Sequence, residues 1–254
     1  MRKILIFLLV TACAYLLFNS TYPALKKYIK AYSSVSLRGF SIDPESTTEL
    51  PFSSGEKLVF FYSMGPLRIG TAELTFIGKT FFQEKEAFLI KFESQVGTFY
   101  DLETIYAQPQ TFYPIYVERS IKNIGLRTEI KEKYDQQNHK VEITKEGLLG
   151  KKTKVIEKKS PIHNALLLIY YCRSLLTSEL KVGYEFDIVL PIDEFKVTLS
   201  SIEKIKTPTG EQEAYLFESN PKKIKLWIAN DERHTPLKME NLTAIGPSSI
   251  VFEK

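Results

Sequence analysis

The densest run of chemistry-bearing side chains is Asn230-Asp231-Glu232-Arg233-His234-Thr235-Pro236, set between two apolar stretches. Asn and Asp close turns on their own backbone, and Pro236 can open a strand where its missing donor costs nothing. The same residues could also reach the end of an apolar helix. Asp231 and Arg233 beside Tyr171 and Arg173 would then offer polar groups to a ligand at the mouth of a curved sheet. A different chemistry would pair Asp231 with Glu232 as the acids of a cell-wall or polysaccharide hydrolase, where carboxylate separation sets the outcome.

Other chemistry lacks residues to carry it. His139, His163 and His234 are far apart in sequence, and the chain has no HExxH and no CxxC, so neither a metal nor another cofactor is expected. There is no G-x-S-x-G elbow for a nucleophile and no Gly-rich phosphate loop. Cys172 lies in an apolar run without a recognisable base and reads as a small buried hydrophobe. No residue is assigned a catalytic role.

The net charge of +4 over 254 residues invites a nucleic-acid reading until it is located. Arg2, Lys3, Lys26, Lys27 and Lys30 supply five positive charges with no acid among the first 30 residues, leaving 29 basic and 30 acidic residues for the rest. A neutral body has no counterion release to exploit, so nucleic acid is not an expected partner.

The N-terminus sets the compartment. Met1-Arg2-Lys3 is a short positive region, followed by the uncharged, apolar run Ile4 to Phe18. Segment 1–21 therefore reads as an export signal or membrane anchor. Cys13, after Val10-Thr11-Ala12, is a lipidation candidate, while Ala12-Cys13-Ala14 also fits ordinary signal cleavage. Apolar residues continue past both sites, which suits a retained anchor of about 22 Å, short of the roughly 30 Å hydrocarbon core unless its flank contributes. Retained, lipidated or cleaved, each outcome places the body on the periplasmic side of a bacterial envelope.

Segment 22–50 reads as a linker, with scattered charge and Asp43-Pro44-Glu45-Ser46. From residue 51 to 254 the apolar period is two: Leu58, Phe60, Tyr62; Ala72, Leu74, Phe76; Phe88, Ile90, Phe92; Ile124 to Ile130; Val141 and Ile143; and later runs to Ile250 and Phe252. Ile77-Gly78-Lys79 and Asp135-Gln136-Gln137-Asn138 read as turns of an antiparallel meander. One segment departs from this period. Ala165 to Leu176 is helix-forming and apolar on nearly every face, so it must be wrapped rather than laid on a surface. The expected fold is mainly β: a strongly curved antiparallel sheet or open barrel of about 10–12 strands around one apolar helix, plus an N-terminal hydrophobic helix.

Three stretches carry a resemblance. Pro51-Phe52-Ser53-Ser54-Gly55-Glu56 with Gly65, Gly70 and Ala72, the helix with Tyr170-Tyr171-Cys172-Arg173 and then Gly183, and Leu226 to Lys238 around the polar run are similar to the bacterial domain of unknown function 3108. That family usually has an acid near the start of the helix, where this chain has His163 and Asn164. The resemblance implies an exported β-rich domain and no particular activity.

Thirty-one Phe and Tyr residues, with Tyr100, Tyr106, Phe112, Tyr113 and Tyr116 close together, would pack a core or line a cavity for a lipid. The leading expectation is a membrane-tethered, non-enzymatic envelope protein that binds a hydrophobic ligand or an envelope protein partner. A hydrolase and a structural scaffold with a solid core are the alternatives.

Overall fold

Alternating apolar residues bury one face of a strand, and a chain that keeps this period for most of its length must roll its sheet around something. A computed structural model describes residues 50–64, 67–176, 180–208, 210–243 and 246–252. In chain order its strands are β1 (Glu56–Met64), β2 (Leu67–Phe82), β3 (Lys85–Val96), β4 (Phe99–Ala107), β5 (Pro114–Asn123), β6 (Leu126–Asp135), β7 (Lys140–Gly147) and β8 (Gly150–Glu157). The helix α1 (Leu167–Leu175) follows, then β9 (Glu185–Val189), β10 (Glu194–Thr207), β11 (Gly210–Asn220), β12 (Ile224–Ala229), β13 (Pro236–Thr243) and β14 (Gly246–Phe252).

These fourteen strands form one antiparallel sheet in the order β8-β7-β6-β5-β4-β3-β2-β1-β14-β13-β12-β11-β10-β9. Sequence neighbours pair throughout, except that β1 meets β14 and the chain crosses from edge to edge through α1. The count exceeds the expected 10–12 because β8 and other polar strands show no alternation to read. Gly150–Glu157 is exposed along nearly its whole length.

Two further expectations need correction. Ile77-Gly78-Lys79 is a bulge inside β2, where the register against β3 shifts between Phe76 and Gly78. Gly78 has φ +120°, and a Cβ there would come within 2.3 Å of Ser54 Oγ, so the glycine serves a close approach and the strand continues. Ile124 lies in the β5–β6 turn, and the strand starts at Leu126. The expected N-terminal helix and Cys13 lie outside the described residues; no described helix is long and apolar enough to cross a membrane.

The helix is enclosed from two sides. Leu167, Ile169 and Tyr170 join a cluster with Phe60, Leu74 and Ile90 of the first strands. Leu168, Cys172 and Leu176 join another with Ile188, Leu199 and Leu226 of the later ones. Full burial of each such side chain is worth roughly 2 kcal/mol. Phe52 braces the junction, with its ring edge-on to Phe76 and to Tyr170 at centroid distances of 5.0 Å.

An apolar cavity beside α1, lined by Phe60, Leu74, Ile169 and Met239 among others, measures about 20 Å³. That is room for about one water.

The two sheet edges are blunted differently. On β9, His163 donates its backbone N–H to the Val189 carbonyl at 2.6 Å, and its ring Nδ1 accepts from the Val189 N–H at 3.1 Å. On β8, Lys151, Lys152 and Lys154 discourage another strand from adding.

Candidate functional site

On the helix-bearing face of the sheet, register decides which side chains meet. Leu58, Leu74, Phe92, Glu103, Arg119 and Ile130 form one row across β1 to β6. Phe60, Ala72, Ser94, Asp101, Ile121 and Thr128 form the next. Ile105, Val117, Glu132 and Ile143 form a third, on β4 to β7. Each row carries its charged residues on β4 to β6 with apolar residues to either side, so acids and a guanidinium gather on the face that otherwise carries the core.

Arg119 organises them. Its Nε and Nη2 donate to both oxygens of Asp101, at 2.8 and 2.6 Å, and Nε lies 3.6 Å from Glu103 Oε2. Glu103 Oε1 accepts from Asn164 Nδ2 at 3.0 Å. Asn164 uses its other side-chain atom, Oδ1, to accept from the Leu166 N–H at 2.8 Å in the turn before α1. One residue thus ties the helix entrance to β4. On β6 the Tyr134 hydroxyl donates to Glu132.

Burial pushes the Glu103 carboxyl up to about 7, against the opposing pull of Arg119 and Asn164. Burial also raises Glu132 despite its bond from Tyr134. The bonds from Arg119 to Asp101 raise the guanidinium further, so it stays charged. Around this cluster Ile121, Ile130, Ile143 and Ile156 are half-buried on the same face, and the Arg119 side chain remains 37% exposed. The arrangement can hold a polar or cationic group against the acids and apolar chains on the isoleucines. Glu103 can exchange a proton near neutrality.

The residues nominated from sequence lie elsewhere. Arg173 is 0% exposed; it pairs with Glu56 through Nη1–Oε2 at 2.6 Å and Nη2–Oε1 at 2.9 Å. Its Nη2 also donates to the Arg233 carbonyl at 2.9 Å, and its guanidinium sits 4.7 Å from the Phe52 ring centroid. Arg233 reaches Glu56 at 3.5 Å with a largely exposed side chain. Asp231 accepts from the backbone N–H of Arg233 and Thr235, so it shapes its own turn. Tyr171 is drawn away from Arg173 and packs against Phe186 and His163.

The Arg173 assembly is therefore a strut between helix, β1 and the β12–β13 turn, in which the Arg173 and Glu56 side chains are enclosed and Arg173 Nε has no partner among the described residues. Burial pushes the Cys172 thiol far up, which keeps it unreactive. Among the described residues, no three His, Cys, Asp or Glu side chains converge as metal ligands.

Asp101, Glu103, Arg119 and Glu132 were absent from the sequence-derived set. Their signal is phase: Asp101 and Glu103 alternate in step with Ile105 and Ala107, and Arg119 with Val117. A charge in the buried phase of a strand calls for a partner on the neighbouring strand.

The fold and the cluster together define an open antiparallel sheet of fourteen described strands, with one short helix packed on it and a polar patch on the helix-bearing face. The chain belongs to the family described as "Protein of unknown function (DUF3108)", whose profile matches residues 59–253. No curated protein matches it. Among solved structures it is similar to a beta-barrel-like protein of domain of unknown function DUF1849 from Brucella abortus. The identity is 7% and the TM-score 0.46, over 78% of this chain and 95% of that one.

Proposed function

We propose that this is a membrane-tethered protein of the bacterial envelope, on the periplasmic side, which binds an amphipathic ligand without transforming it. One observation carries the reading: the inner face of β4 to β8 joins the Asp101–Arg119–Glu103 cluster to the half-buried Ile121, Ile130, Ile143 and Ile156. Such a surface suits a molecule with a hydrogen-bonding or cationic head and an apolar body. The apolar cavity beside α1, at about 20 Å³, is too small for a lipid chain, and the ligand is placed on the open face instead. The basic, apolar segment 1–21 supports tethering by a retained anchor, a lipidated Cys13 or, after cleavage, release into the same compartment.

The test is native mass spectrometry of the full chain extracted from its own membranes, followed by denaturation and organic extraction. A stoichiometric amphiphile that is lost from an Ile130→Lys, Ile143→Lys variant is the expected result. A bare chain, or a bound molecule that the variant keeps, would overturn the reading.

A second reading has one observation in its favour: Glu103, held near 7 beside two more acids, has the proton affinity of a general acid of a polysaccharide hydrolase. Turnover of envelope glycans that Glu103→Gln abolishes would favour it over binding.

A further inference from the structure

Beyond residue 30 the chain is nearly neutral, yet one corner of the sheet concentrates cations around exposed apolar side chains. The β5–β6 and β7–β8 turns lie side by side there. Glu129 pairs with Glu146, and a Cβ at Gly147 would stand 3.3 Å from Thr128 Oγ1 and 3.6 Å from the Arg127 carbonyl. At these tips Ile124 is 66% exposed, Leu126 56%, Leu148 81% and Leu149 89%. Lys122, Lys145, Lys151 and Lys152 surround them against the carboxylate of Glu146, while Arg127 is paired with Glu129.

Local folding does not ask for these apolar residues. Ile124 adopts φ +47° ahead of Gly125, a left-handed position that suits Asn or Gly and strains a β-branched side chain. Strain combined with exposure points to a use outside the fold. Two other exposed apolar residues have a different setting. Phe81 is followed by Glu84 and Glu86, and Ile192 by Asp193 and Glu194.

We propose that these two hairpin tips dock onto the surface of an anionic lipid bilayer. The leucines and Ile124 enter the boundary between headgroups and acyl chains, and the lysines meet the phosphates. Charge complementarity selects this occupant: an anionic bilayer satisfies the cations and the protruding apolar tips together, whereas an acidic partner protein would need its own pockets for them. The contact is separate from any anchor in segment 1–21 and orients the body instead of tethering it. It does not depend on the ligand reading, since a failure here leaves the organic extraction unchanged.

The test uses the full chain carrying Leu149→Trp, in phosphatidylcholine vesicles with or without phosphatidylglycerol, with lipids brominated near the headgroup as quencher. The parent chain, whose single tryptophan is the buried Trp227, is the reference, so segment 1–21 is present in every arm. The added tryptophan should shift to the blue and be quenched beyond the parent in phosphatidylglycerol vesicles. Lys151→Glu with Lys152→Glu should lower the docked fraction by about an order of magnitude. An unchanged unfolding midpoint shows that these exposed substitutions leave the fold intact. Quenching no greater than the parent's would overturn the proposal, and cross-linking of the tips to a second copy or to an envelope protein would name the true occupant.

Discussion

Arg173 in the last turn of the helix and Glu56 at the start of β1, 117 residues apart in the chain, close a two-toothed ion pair inside the protein. Neither side chain reaches water; their exposures are 0% and 1%. The guanidinium also binds the Arg233 carbonyl, and the Arg173 carbonyl lies 3.2 Å from the His234 ring. Helix, first strand and the β12–β13 turn are thereby locked in one register.

Arg173→Leu leaves the buried Glu56 carboxylate with only the more distant, exposed Arg233 and is expected to cost about 3–5 kcal/mol in urea unfolding. Adding Glu56→Leu should recover most of that loss, because two apolar side chains replace two charges. A loss below about 1 kcal/mol for the single change would show that the pair is not the strut described.

Glu103 makes a pH prediction whose sign is set by its raised carboxyl, near 7 when folded against an ordinary 4.5. Between those values the folded chain binds more protons than the unfolded one, so this group's contribution to stability falls as pH rises. Glu103→Gln keeps an acceptor for Asn164 and removes the ionisation. It should stabilise the protein above pH 7 by on the order of 2 kcal/mol and have little effect below about 4.5. Unfolding free energies of parent and variant, compared across that window, read the difference directly.

His163 acts with the opposite sign. Burial lowers its ring to about 4, and its Nδ1 accepts from Val189, a bond that a protonated ring would lose. The unfolded chain binds the extra proton first, so stability present above about 6.5 is lost as pH falls towards 4. His163→Gln should flatten this part of the profile and lower stability at neutral pH. An unaltered acid limb would rule the histidine out as the cause.

Ile124→Asn relieves a strained turn and should raise stability by about 0.5–1 kcal/mol. The same change should weaken docking of the tips on anionic vesicles. Opposite signs in unfolding and in bromolipid quenching distinguish a residue kept for an external surface from one kept for the fold.

The sheet was legible because strands such as Leu58-Val59-Phe60-Phe61-Tyr62 write their buried face in every second residue. The wrapped helix was legible because Ala165 to Leu176 has no polar face. β8 was not, because its two apolar residues, Val155 and Ile156, are adjacent and show no alternation. Nor was the inner cluster: Asp101 and Glu103 look like solvated acids until β5 sets Arg119 opposite Glu103. Tyr171 and Arg173 stand two positions apart in the helix, so at about 100° per residue they face about 200° apart, on opposite sides of α1.

The proposed ligand would occupy the helix-bearing face of β4 to β8. Hydroxyl-radical footprinting of the full chain as isolated from its membranes, and again after lipid extraction, tests this most directly. Tyr134, Ile130 and Ile143 should be protected before extraction and react several-fold faster after it, while the exposed Phe81 stays constant. Equal reactivity at those three residues in both samples would contradict the account and leave the face as solvent-facing sheet.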